Sequence, residues 1–388
     1  MTTLSQILKS QTNLIDEDKH TLTVALHLFG AGKTTLVSTM RSMYGRKRDR
    51  ARALFTGDRT QGIEVQSIKK EGIRVSLWDM AGQQEFHAFQ DCMFPDVGTN
   101  SYQLPSMFMF VWSPIDSKSG EKGALRNEEN FEASFRYWLR FLASKSRQSN
   151  ITLKVMVVFT RADQMATLSH AFSTQIDSLR SDFKGLIDIL NPPFHVDARK
   201  KDSMRAATSV RAVAKHIFDI AKRTLQGIQV YNICTDVYKL LSKHSKKTNE
   251  EIITWKKFSE ICHSFHFSND IAKLEAIALC LNESGNIIYI NGIRHMVLNP
   301  NWFCNEVMGS LIHFSNSKAS KSAIVFTDGC TPRDSLEECL ESVVKSKVKG
   351  SLLVDLMEAM HLCCTVTIND GVPNSHVDRL FIPTLLED

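Results

Sequence analysis

From Thr21 to Gln226, apolar runs of strand length alternate with apolar positions at helical spacing, and this alternation constrains the fold most. Leu153–Phe159 (LKVMVVF) is apolar almost without interruption, which suits a central parallel strand covered on both faces. Thr21–Leu28, Ile73–Trp78 (IRVSLW) and Ser106–Trp112 (SMFMFVW) read as further strands, with Phe194–Val196 as a last short one. Between them, Lys33–Tyr44 reads as a helix. Phe131, Phe135, Trp138, Leu139 and Leu142 share one helical face, and Val210, Val213, Ala214, Ile217 and Ala221 mark a closing helix. The pattern predicts an α/β domain over residues 21–226, a mostly parallel sheet with helices on both faces. Residues 1–20 precede it as an N-terminal tail.

Residues 227–388 read differently. Lys243–Glu250 is polar and charged and is expected to be a loop. Thr254–His263 and Asp270–Leu281 look helical. Asn286–Ile290 and Ile293–Leu298 flank Asn291-Gly292, the favoured two-residue hairpin turn. Helices followed by a hairpin predict an α+β domain with a winged-helix-like part. Ser315–Ser322 reads as a linker, and Leu336–Val344 and Leu352–Met360 as two more helices before a strand-like tail.

Four signals sit in order at the ends of strands in the first domain, where ligands of open parallel sheets bind. The first is Gly30-Ala31-Gly32-Lys33-Thr34-Thr35. A glycine turn opening a helix points backbone amides at an anion, and the helix dipole favours negative charge. Lys33 would reach the β- and γ-phosphates and the Thr34 hydroxyl a magnesium ion. A full loop of this kind has a glycine, four residues, then Gly-Lys-Ser/Thr. Either His27 occupies the first-glycine position, with Leu28 and Phe29 inside the loop and Phe29 near the γ-phosphate. Or Gly30 is the first glycine and the loop lacks three residues.

The second signal is Asp79-Met80-Ala81-Gly82-Gln83, read as directly following the strand. Asp79 would hold magnesium through water, the Gly82 amide would meet the γ-phosphate, and Gln83 would orient an attacking water. The third is Thr160-Arg161-Ala162-Asp163. The Asp163 carboxylate can accept from the ring N–H and the exocyclic amine of guanine, while Arg161 stacks its stem and charge against the base. The fourth, Asp197-Ala198-Arg199, matches a base-backing loop. Thr60, in Arg59-Thr60-Gln61-Gly62-Ile63-Glu64, is placed to close on magnesium as a switch threonine.

The Thr60-to-Glu64 segment, with Trp78 through His87 (WDMAGQQEFH), resembles Roc domains, the Ras-of-complex-proteins branch of small GTPases. Asn282–Tyr289 (NESGNIIY) and Leu298–Trp302 (LNPNW) resemble two signatures of the COR domain, which follows Roc in Roco proteins. Phe86–Pro95 is similar to the plant TORNADO-type branch. The resemblance covers residues 21–388. It implies a P-loop, Ras-like fold with a COR domain, GTP and GDP with Mg2+ as cofactors, slow hydrolysis, and a signalling role through effector or regulatory proteins at the switches and COR. Phe381–Leu386 resembles the close of the first COR half. The second half, to which family dimerisation is largely attributed, is therefore expected to be missing, and the dimer is not carried over. The alternative is a degenerate scaffold that keeps the fold but not GTP turnover.

The remaining features point to ordinary roles. A net charge of +5 over 388 residues requires neither nucleic acid nor an acidic membrane as partner. No apolar stretch approaches the ~20 residues of a membrane span, and nine scattered cysteines without a signal-peptide core suit a cytoplasmic protein. Arg46–Arg52 reads as a solvated basic loop, and Cys262-His263-x-x-His266 as a helix end, since three ligands within five residues do not match structural zinc spacings. The hairpin tip carries few cations for DNA phosphates, and Trp302 is expected to anchor a core.

Overall fold

The computed structural model describes residues 22–30, 32–45, 63–80, 106–116, 124–125, 128–146, 152–161, 169–198, 209–224, 232–265, 270–290, 292–309, 311, 329–344, 348–369 and 376–383. The chain falls into two compact units, one drawn mainly from residues up to Thr235 and the other mainly from Asp236 onward.

The first unit is built on a seven-stranded sheet. Its strands are β1 (Leu22–Gly30), β2 (Ile63–Lys70), β3 (Ile73–Met80), β4 (Ser106–Trp112), β5 (Leu153–Thr160), β6 (Ile187–Ile189) and β7 (Phe194–Val196). They run in the order β2-β3-β1-β4-β5-β6, with β7 also paired to β5. β1 is parallel to β3 and β4, and β5 is parallel to β4, β6 and β7. Glu71 and Gly72 join β2 to β3 with φ of 48° and 78°, the left-handed pair that a tight antiparallel hairpin needs. The sheet is thus mostly parallel.

Helices α1 (Lys33–Tyr44), α2 (Glu128–Ser146), α3 (Ser169–Asp182) and α4 (Val210–Thr224) complete this unit. Alternation along β1 sends Val24, Leu26 and Leu28 into a cluster with Leu36, Val37 and Met40 of α1 and Val213, Ala214 and Ile217 of α4. The intervening residues meet aromatic rings instead. Phe29 stacks on Trp138 of α2 at 4.8 Å, and Phe110 of β4 stacks on Phe135 at 4.5 Å. A strand filled on both sides belongs in the middle of the sheet. Each such fully buried side chain contributes about 1.5–3 kcal/mol.

α5 (Asn232–Thr248) leads into the second unit, followed by β8 (Ile252–Thr254), α6 (Trp255–Ile261), α7 (Ile271–Glu283), β9 (Ile288–Tyr289) and β10 (His295–Val297). The small sheet runs β8-β10-β9. Helix, strand, two helices and a hairpin whose last strand lies centrally are the elements of a winged helix. Local chemistry sets the boundaries. The Thr254 hydroxyl accepts from the Lys257 amide and the Asp270 carboxylate from the Lys273 amide, starting α6 and α7. Asn299 caps the segment that opens at Pro300, and Trp302 there is buried.

The expected loop at Lys243–Glu250 is instead helical as far as Thr248. Lys246 and Lys247 lie in the last turn, where cations complement the helix dipole. With those side chains exposed, the turn shows no apolar periodicity in the sequence.

Beyond Gly329, α8 (Arg333–Val343) and α9 (Gly350–Ala359) pack together beside a sheet of β11 (Cys330–Thr331), β12 (Cys364–Asn369) and β13 (His376–Phe381) in the order β11-β13-β12. A Cβ at Gly350 would lie 2.1 Å from the Glu337 carbonyl oxygen, so only glycine fits this helix contact. Arg333 reaches Glu337 on its own helix at 2.8 Å and Glu358 on α9 at 2.7 Å.

Candidate functional site

The carboxyl ends of β1, β3, β4, β5 and β7 are adjacent in the first unit, and most described residues singled out from sequence lie there. Gly30 is the last residue of β1 and is still in register with Val111 of β4. Its φ is 98°, and a Cβ there would lie 2.1 Å from the Val111 carbonyl oxygen. Gly32, with φ of 92°, is the N-cap of α1, and Lys33 is the first helical residue.

His27, Leu28 and Phe29 are therefore strand residues. His27 pairs across the sheet with Trp78 and Phe108, Leu28 with Asp79 and Met109, and Phe29 with Phe110. Of the two readings of the glycine turn, the structure has the shorter one, with Gly30 as first glycine. The expectation that Phe29 crowds the γ-phosphate is corrected: its ring is in the aromatic core against Trp138 and Phe110. The sequence obscured this because a strand covered on both faces lacks the alternation that would mark its end.

Lys33 is buried, and its ammonium donates to the Gly30 carbonyl three residues back. Burial holds its pKa below the usual lysine value, and the Asp79 carboxylate partly offsets this. Asp79 is fully buried within β3, which continues to Met80 rather than stopping at Trp78. A buried ammonium and a buried carboxylate thus share the end of the sheet. Thr34 is half-buried and Thr35 exposed on the opening turn of α1. Leu36 donates to the Gly32 carbonyl as the helix begins.

Thr160 ends β5, and its hydroxyl donates to the Trp112 carbonyl at 3.1 Å across β4. The same side chain is the nearest neighbour of Gly32, where a Cβ would come within 2.8 Å of Thr160 Oγ1. Arg161 follows with φ of 56° and is half-buried, a left-handed turn that takes the chain out of the strand. Ala198 is buried beyond β7, and its carbonyl accepts from Thr39 Oγ1 of α1 at 2.5 Å. Neither Thr39 nor the Thr160–Gly32 approach was visible in the sequence, because no spacing rule links residues so far apart in the chain.

His27, three residues before Gly30 on β1, lies between Trp78 and Phe108 at ring-centroid distances of 5.3 Å. Burial pushes its pKa down to about 3, so it is neutral at physiological pH. On β7, His195 stacks on Phe159 at 4.9 Å and is likewise lowered by burial. Ala31, Thr60, Gly82, Gln83, Asp163 and Arg199 lie outside the described residues, as do Arg46–Arg52, His266 and the Ser315–Ser322 linker. In the second unit the buried Cys262 thiol is pushed up to about 12, which opposes the thiolate form a metal would need, and His263 is exposed.

The family model described as "C-terminal of Roc, COR-A domain" matches residues 235–386. Protein TORNADO 1 of Arabidopsis thaliana is 29% identical over 357 residues, covering 84% of this chain. The structure of Methanosarcina barkeri Roco2 RocCORdC bound to GDP superposes with a TM-score of 0.58 at 19% identity, covering 97% of this chain and 99% of that one. The chain therefore resembles Roco-type Roc-COR proteins, with the COR-A match confined to residues 235–386. The chain spans only 24% of the length of TORNADO 1. Among its described residues, no helix is long and apolar enough to cross a membrane.

Proposed function

We propose that this chain is a guanine-nucleotide-binding signalling module, with a Roc domain over residues 21–226 and the first half of a COR domain over 227–388. The carrying observation is the convergence of Gly32, Lys33, Asp79 and Thr160 at one end of the sheet, with Gly32 against the Thr160 side chain. That brings the glycine turn next to the strand end from which the base-reading tetrapeptide continues. The GDP bound to the Methanosarcina barkeri relative supports the same ligand class. Asp163 would read the guanine edge, with Arg161 stacked on the base and Ala198 and Arg199 behind it. A Mg2+ ion suits the chemistry of the Thr34 hydroxyl and the Asp79 carboxylate, and Thr60 would add a hydroxyl in the switch reading. Magnesium would neutralise phosphate charge there, Gln83 would orient water for slow hydrolysis, and Thr60 with Asp79–Phe86 would form the switch that effector or regulatory proteins and COR sense.

Titration of the purified protein with fluorescent guanine and adenine nucleotides in magnesium tests the reading. Selective guanine binding supports it, and no guanine binding at high micromolar concentration overturns it. The Lys33–Gly30 contact favours a second reading, a nucleotide-binding scaffold acting through protein contacts without turnover. Binding without phosphate release over hours would decide for the scaffold.

A further inference from the structure

The distance along the chain between β1 and α1 bounds what the phosphate end of the site can hold. Gly30 is still paired in the sheet and Lys33 is already helical, so only two residues of chain separate strand from helix. A full phosphate loop has four residues between its two glycines, and their successive amides wrap the anion. Here one residue separates Gly30 from Gly32.

Neither glycine has room to recede. A Cβ on Gly30 would sit 2.1 Å from backbone oxygen of β4, and one on Gly32 2.8 Å from the Thr160 hydroxyl. Within this short turn the Lys33 side chain folds back on the Gly30 carbonyl, so its ammonium bonds to its own chain. The base-reading side is built differently. Thr160 is fixed by its bond to the Trp112 carbonyl, and Ala198 is fixed through Thr39. The base end is therefore braced, while the phosphate end offers only a short turn with its lysine bonded back to Gly30.

We infer that the chain closes its own phosphate site, and that its ligands are guanine nucleosides and their 5′-monophosphates, with the β- and γ-phosphates adding little affinity. This rests on the base-recognition part of the guanine reading above and stands in place of its magnesium, hydrolysis and GTP-switch part. A phosphate approaching the turn meets a lysine that has already given one of its three N–H groups to a carbonyl, and finds too few amides to replace its hydration. A guanine ring needs neither. Occupancy would then report guanosine or GMP rather than the GTP-to-GDP ratio.

Calorimetric titration of the full chain with guanosine, GMP, GDP, GTP and adenosine, all with Mg2+, tests the inference. The four guanine compounds are expected to fall within about tenfold of one another, with adenosine at least about tenfold weaker. GDP or GTP binding more than about 100-fold tighter than GMP overturns the inference and leaves the guanine reading intact. No binding of any guanine compound, guanosine included, overturns both. Inserting three small residues between Gly30 and Ala31 should tighten GDP at least about tenfold without moving guanosine. A folded insertion variant with no such gain counts against the inference. If the insertion unfolds the protein, the wild-type series alone decides.

Discussion

Gly32 lies so close to Thr160 that a Cβ on the glycine would come within 2.8 Å of the threonine hydroxyl oxygen. With φ of 92°, Gly32 also occupies backbone space that other L-residues rarely adopt. Gly32→Ala is expected to destabilise the protein by about 1–3 kcal/mol through strain and displacement of Thr160. Urea unfolding measures it. A change below about 0.5 kcal/mol would mean the turn relaxes freely.

Phe29→Ala separates a strand residue from a loop residue. The ring is fully buried against Trp138 and Phe110, so the cavity should cost about 3–5 kcal/mol. A midpoint in guanidinium close to wild type would place Phe29 outside the core.

His27 makes stability depend on pH. Its folded pKa is about 3 and its ordinary value about 6.5, so the unfolded chain takes up the proton first. The contribution is complete above pH 6.5 and falls as the pH drops toward 3, with a limiting slope of about 1.4 kcal/mol per pH unit. His27→Phe keeps a ring between Trp78 and Phe108 and should flatten this part of the profile. Equal slopes for the two proteins between pH 6 and 4 would remove His27 as the cause.

In the second unit, Arg333 spans α8 and α9, reaching Glu337, Glu358 and Asp355. Its side chain is 37% exposed, so solvent screening keeps the network modest. Arg333→Ala should cost about 1 kcal/mol, and the deficit should shrink in molar salt. Thermal melts at low and high salt check both parts.

The sequence made the frame of the first unit readable where packing is periodic. Lys33–Tyr44 and Phe194–Val196 keep their expected limits, and Phe131, Phe135 and Trp138 share a buried face. The end of β1 was ambiguous because both faces are covered: His27, Leu28 and Phe29 carry no exposed polar residue to mark a boundary. Asp79 stands inside β3 because a buried carboxylate near Lys33 can sit in an apolar strand without breaking its pairing. The contacts of Thr160 with Gly32 and of Thr39 with Ala198 are products of tertiary placement, which no local rule encodes.

The double-sided packing of β1 also fixes what evolution can do with this turn. Leu28 is committed to the α1 and α4 side and Phe29 to the aromatic side, so neither can be released into the turn without opening a cavity. Point substitution therefore offers no easy route to a longer turn, since releasing either residue lowers stability before any phosphate contact is gained. A lineage carrying this turn is held to it by the packing of its own core.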